Sequence, residues 1–496
     1  MDTRTPLPAP VYPTPTPSAP NPWDTRRNRR DSGFAAAAVV AIVAIVAACI
    51  AMVAGREPLG PSEWDARVVP LVSFVEEARG HPFAHPVYVK FLTAEEYRAE
   101  STDGAPASVD EREYFDVQAR TFRSLGLIGG EVDLAAEQDE IRDSGTLAYY
   151  SPDDRTVYVR GVEVTPSLRV TLVHELTHAL QHQMFNFDLS HAQSAGEAFG
   201  MRALAEGDAI RIEDEYYDTL SADEQRQIVD QSEIDVNSSK ALNSDAAPVL
   251  LALFRAPYAL GVPFVRLLAT IDDEVDHAFE YPPLSEENIF DPATFLTDDF
   301  PEDVIPVKAP AGAMNLHQMG NEVGVVMWYL LIATHTDQKQ ALAAVDGWAG
   351  DAMTVYEQDG QLCTAMVFRG DTQRDSDEMN TALTRVAAAL LLDHKSKVSS
   401  DGGDVLLTLC DPGPSAKAPK VDTASIFTAP TVRSLLLGIA LEDPKVSVEQ
   451  ADCAADKTVD HLVQAEMEQL LHAPSREDPF ARQVLSYLQT TITGCR

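Results

Sequence analysis

Residues 165–185 read TPSLRVTLVHELTHALQHQMF, and the organisation of the chain is best worked out from there. Thr165 is a good helix N-cap, and Pro166 suits the first helical position, where its missing N–H leaves nothing unpaired. No glycine or proline interrupts the remaining residues, so the stretch predicts one helix with Leu168, Leu172, Leu176, Ala179 and Gln183 along one stripe. His174 and His178 are four residues apart and therefore project from the same face, one turn apart. Two imidazoles so placed can reach one Zn2+ at about 2.0–2.1 Å. Glu175, beside the first of them, lies where it can take a proton from a water at that ion, which completes the HExxH pattern. Leu172, Val173, Leu176, Thr177, Ala179 and Leu180 are all uncharged, as a buried active-site helix requires. A core helix carrying two incidental histidines would leave that setting unexplained.

A catalytic zinc usually takes three protein ligands and keeps one position open. His182 continues the four-residue spacing, but on an unbroken helix it stands about 12 Å of rise from His174, too far for one centre. No glycine turn separates His178 from His182 to bring it back. Residues 194–217 read as a second helix, and its glutamates Glu197 and Glu206 are the better candidates. Nine residues at about 100° each place them on opposite faces, so only one can face the metal. Spacing alone leaves the choice open.

HELTHALQHQMF followed by RALAEGDA (202–209) resembles a family of actinobacterial, membrane-anchored, gluzincin-like zinc metallopeptidases in which HExxHALQ precedes ALxEGDA. The resemblance implies His174, His178 and Glu206 as metal ligands and Glu175 as general base. It also implies that Gly207 lets two helices approach and that Asp208 orients a ligand histidine. Thermolysin-type spacing would favour Glu197 instead. YYSPDDRTVYVRG (149–161), PYALG (257–261), PPLSEEN (282–288) and DGWAGD (346–351) extend the similarity over residues 56–411. The SEEN stretch departs from the STEQ-like form of the family. The first of these blocks reads as a strand or hairpin whose edge could pair with an extended peptide.

The formal net charge of −39, from 77 acidic and 38 basic residues, would repel nucleic acid phosphates and anionic headgroups. No nucleic acid partner is therefore expected. Residues 1–33 begin with a proline-rich tail that cannot bury enough apolar surface to order itself. Arg26, Arg27, Arg29 and Arg30 then precede an uncharged run, 34–54, long enough to cross a bilayer. Arginines on that side predict a cytoplasmic N-terminus and an extracytoplasmic remainder. Four of the five cysteines fall in the C-terminal third, and in an oxidising compartment sequence-local pairing would join Cys363 to Cys410 and Cys453 to Cys495.

The expected architecture is α+β and predominantly helical. It comprises a zincin-like catalytic domain (56–345) behind a single N-terminal transmembrane helix, a small α+β unit (346–411), a linker (412–425) and a helical C-terminal region (426–496). The expected function is that of a membrane-anchored zinc metallopeptidase acting on a peptide or protein. The competing expectation is a tethered zinc-binding scaffold without activity, for which a base at Glu175 would have no use.

Overall fold

A computed structural model of the chain describes residues 60–101, 109–137, 147–231, 248–271, 273–316, 322–390, 392–420, 422–423, 425–473 and 475–495. The expected tail (1–33) and anchor (34–54) lie outside the described residues. From residue 60 onward the chain forms one compact unit, a mixed α+β fold in which helix predominates.

The first layer is built from α1 (Val69–Arg79), β1 (Tyr88–Leu92), α2 (Ala94–Ser101), α3 (Val109–Ser124), the hairpin β2 (Ala148–Ser151) and β3 (Thr156–Arg160), and α4 (Pro166–Phe185). Its sheet has the order β1-β3-β2, with β1 parallel and β2 antiparallel to the central strand. β2 is thus an edge strand. α4 starts as the sequence dictates, with the Thr165 hydroxyl accepting from Leu168 N at 3.2 Å and Pro166 in the first turn, and it ends at Asn186, which adopts φ 49°. α5 (Ala195–Thr219) is capped by Ser194, whose hydroxyl accepts from Glu197 N.

Behind these stands α6 (Pro248–Leu268), followed by α7 (Glu274–Glu280), short turns at Glu287–Phe290 and Pro292–Leu296, α8 (Val325–His335) and α9 (Gln338–Val345). Asp337 accepts from Gln340 N and so starts α9 as a helix separate from α8. β4 (Met314–Asn315), β5 (Trp348–Gln358), β6 (Gln361–Gly370), β7 (Lys397–Asp401) and β8 (Asp404–Cys410) form an antiparallel sheet in the order β4-β5-β6-β8-β7. α10 (Gln373–Ala389) packs against it, and Asp359-Gly360 make the β5–β6 turn with φ of 53° and 76°. α11 (Thr428–Leu441), α12 (Val448–His461), α13 (Gln464–Leu471) and α14 (Pro479–Ile492) complete the chain.

Both expected disulfides are present: Cys363–Cys410 joins partners in register on β6 and β8, and Cys453–Cys495 ties α12 to the end of the chain. The 412–425 stretch has no helix or strand in its described part, as a linker should, yet it is not a free tether. Gly130 N donates to Ala416 O at 2.9 Å, and a Cβ on Gly129 would lie 2.1 Å from Ala418 N.

A small cluster around Tyr356 and Cys363 aside, two apolar cores result among the described residues. The larger contains Phe264, Phe290, Trp328, Tyr329 and Phe368; the smaller gathers α1, the first sheet and α4 around Val75, Val159, Leu172 and Leu176. Asp351 fastens α8 to β5. Its carboxylate accepts from Val323 N, Gly324 N and the indoles of Trp328 and Trp348 at 2.8–3.0 Å. Among the described residues α6 is the helix long and apolar enough to cross a membrane, but half of it is buried within the fold. It packs against α5 and α11.

Candidate metal centre

The HELTH segment presents both of its imidazoles on one face of α4, and α5 returns antiparallel to bring up a carboxylate. His174 Nε2 lies 3.1 Å from His178 Nε2 and 3.2 Å from Glu206 Oε2, and His178 Nε2 lies 3.4 Å from the same oxygen. In a tetrahedral centre with ligands about 2.0–2.1 Å from the ion, donor atoms stand roughly 3.3 Å apart. His174, His178 and Glu206 are the one His/Cys/Asp/Glu group among the described residues whose ligand atoms converge in this way. Glu197 is not part of it. Its carboxylate turns back to accept from Gln193 N at 2.6 Å, at the mouth of its own helix.

The far nitrogens of both rings explain why the near ones face inward. His174 Nδ1 stands 2.9 Å from Glu213 Oε2, and His178 Nδ1 stands 3.0 Å from Gln181 Oε1. Each partner is an acceptor, so each Nδ1 carries a proton, and a ring that is neutral turns a lone pair inward from Nε2. Three acceptors then point at one another with no donor between them. Such a pocket demands positive charge. Burial alone would depress His174, but the carboxylates of Glu206 and Glu213 outweigh it and raise the imidazolium well above its usual range. His178 is likewise raised, burial being overcome chiefly by Glu206. Glu206 moves the other way: burial opposes it, but the two imidazoles hold it far below the ordinary carboxylate range. A divalent cation satisfies all three groups at once.

Glu175 points from the same helix toward β2, where one carboxylate oxygen accepts from Tyr150 N at 2.7 Å. Burial raises its affinity for a proton, against the pull of His174 and His178. The Tyr150 hydroxyl meets His182 Nδ1 at 2.8 Å, so His182 belongs to the rim of the site and not to the ligand set. On the other side of Glu206, Arg202 Nε lies 3.7 Å from Oε1, and the guanidinium covers the rings of Phe254 and Tyr258. Burial and the neighbouring Glu206 carboxylate push the Tyr258 phenol above its ordinary range.

Gly207 has the part expected of it, since a Cβ there would come within 2.3 Å of Gly261 O on α6. Asp208 does not. It contacts neither ligand histidine; Glu213, seven residues beyond Glu206, holds His174, and Asp208 reaches His178 only through Gln181. Gln181 was legible as the residue three beyond His178 in the same helix, whereas Glu213 could be found only once Glu206 was fixed. Tyr150 and Arg79, distant in sequence, gave no signal.

A domain family of unknown function, DUF8575, matches residues 311–435, a stretch that holds the five-stranded sheet and none of the converging ligands. No curated protein and no solved structure matches the chain.

Proposed function

We propose that the protein is a zinc metallopeptidase of the gluzincin-like kind, anchored by residues 34–54 with its catalytic part outside the cytoplasm. The observation that carries this is the convergence of three acceptor atoms at His174, His178 and Glu206 with a buried carboxylate, Glu175, on the adjoining position of the same helix. A zinc ion held there supplies Lewis acidity, polarising a carbonyl and acidifying a water. Glu175 takes the proton from the attacking water and returns it to the leaving nitrogen, a task suited to a carboxylate whose burial has raised its proton affinity. The hydrogen bond from Tyr150 N fixes that carboxylate against the edge strand.

β2 supplies the surface for an extended peptide. Arg160 N bonds Leu147 O, so with the observed register Tyr149 and Ser151 turn their peptide groups toward β3, while Ala148 and Tyr150 turn theirs outward. Substrate backbone added at this edge, where the Tyr150 N–H is already taken by Glu175, would bond to Ala148 and the Tyr150 carbonyl and run past Glu175. Tyr258 and Arg202, beside Glu206, are the donors assigned to the oxyanion. The two disulfides suit an oxidising compartment, and Arg26, Arg27, Arg29 and Arg30 retain the N-terminus in the cytoplasm.

The test is to purify the part following residue 54, measure bound metal, and compare it with Glu175→Gln on a peptide library. Zinc retained by both, with hydrolysis lost only in the variant, is the expected result. Hydrolysis undiminished by Glu175→Gln would remove the assigned base. Zinc binding without turnover in the parent protein would favour the inactive scaffold.

A further inference from the structure

Asp208 reaches a ligand histidine at one remove, through the side chain of Gln181. That residue sits between His178 and Asp208. Its amide oxygen faces His178 Nδ1 at 3.0 Å, and its amide nitrogen donates to Ala205 O at 3.1 Å and to Asp208 Oδ2 at 3.0 Å. A primary amide can be turned over, exchanging its oxygen and nitrogen, and only its neighbours decide which way it points. Here they leave no choice. Ala205 O is a carbonyl that can only accept. Asp208 is wholly buried, and both its oxygens receive guanidinium donors, Arg79 Nε at 2.9 Å on Oδ2 and Arg211 at 3.0 Å on Oδ1. Both N–H groups of Gln181 therefore have acceptors, and its oxygen must face the imidazole.

Arg79 is itself fixed. It lies in α1, pairs with Asp276 of α7 at 2.6 Å, and packs beside the rings of Phe185 and Phe279. The chain Arg79–Asp208–Gln181 thus crosses from α1 through α5 to α4 and ends on a ring that faces the metal pocket.

We propose that Asp208 and Gln181 are positioning residues that lock His178 in the tautomer protonated at Nδ1, so that its Nε2 lone pair is permanently available to a cation. This rests on the reading of His174, His178 and Glu206 as a metal site, but not on peptidase activity. Asparagine at position 208 can offer an N–H where Asp208 offered only oxygen. Only Ala205 O then holds the Gln181 amide; turned over, that amide presents its NH2 to Nδ1 and favours the ring protonated at Nε2, the form that cannot bind.

The experiment uses the part following residue 54 and reads zinc affinity by competition with a chromophoric chelator. The imidazole 1H–15N correlations of the zinc-free protein report separately on the His178 Nδ1–H. Asp208→Asn should weaken zinc by about 10–100-fold and broaden or remove that Nδ1–H signal. Gln181→Met should do the same while leaving the Asp208–Arg79 pair intact, so it decides the matter if Asp208→Asn fails to fold. The double variant Gln181→Glu with Asp208→Asn restores an acceptor at Nδ1 and a donor behind it, and should recover part of the lost affinity. Folded Asp208→Asn and Gln181→Met proteins with parental zinc affinity and an unchanged Nδ1–H signal would overturn the lock while leaving the metal site standing. A parent protein that binds no zinc would remove the site itself.

Discussion

Replacing Gly261 with alanine tests whether the metal centre depends on how closely α5 and α6 approach. A Cβ on Gly261 would lie 2.0 Å from Ala203 O, 2.8 Å from its carbonyl carbon and 3.1 Å from its Cα. All three are backbone atoms, so no side chain can swing away. Ordinary contact begins at 3.4 Å, and the two helices must part locally by roughly 1 Å or more. In an unobstructed helix Gly→Ala stabilises by about 0.5–1 kcal/mol. Here overpacking should reverse the sign and destabilise by about 1–3 kcal/mol. Ala203 lies three residues before Glu206 on α5, so displacing it draws the carboxylate away from imidazoles that now stand 3.2 and 3.4 Å from it. A loss of about 1.4 kcal/mol in that geometry corresponds to roughly tenfold in Kd. Urea unfolding with chelator present gives the first quantity, and chelator competition gives the second. A Gly261→Ala protein at least as stable as the parent, with unaltered zinc affinity, would refute the reasoning.

Burial pushes the Glu286 carboxyl up to about 8 from an ordinary 4.5, with Glu322 and Asp351 adding to the rise and Val326 N opposing it. The folded protein therefore holds that proton more tightly than the unfolded chain, so its stabilisation is whole below about pH 4.5 and is lost as pH rises toward 8. Glu286→Gln should then exceed the parent in stability at pH 9 by a few kcal/mol, to order of magnitude, and lose that advantage by pH 5; parallel denaturation curves at the two pH values would contradict this. Converting Cys363 and Cys410 to alanine opens a cross-link spanning 47 residues and should cost about 4 kcal/mol on the chain-entropy estimate, read by guanidinium unfolding. Glu213→Ala should lower zinc affinity by about 10–100-fold, with a small effect on the apo-protein unfolding midpoint because that side chain is about one-third exposed.

What the sequence disclosed and what it withheld divide along physical lines. His174, Glu175 and His178 share one turn of one helix, and the rotation per residue alone aligns them. The cap at Thr165 is equally local. Glu206 against Glu197 was undecidable because it depends on how α5 lies against α4, which is set by the glycine contact with α6. Asp208 acts indirectly for a related reason: on α5 the residue two beyond Glu206 turns toward α1, where Arg79 waits, and the residue seven beyond it turns back to His174. The break between α8 and α9 was visible in Asp337 only as a cap in the middle of an apolar run.

α5 belongs to both apolar cores. Met201, Ala203, Leu204 and Ala205 lie in the larger one, Ile212 and Tyr216 in the smaller, and Glu206 stands at the changeover while the buried apolar residues of α4 lie in the smaller. An ion bridging α4 and α5 at that point acts as a rivet across the seam between two separately packed halves. Its free energy of binding is then also free energy against their parting, about 2.7 kcal/mol when zinc is at a hundred times its dissociation constant. On the proposed reading, the supply of zinc would govern the survival of the domain as well as its turnover.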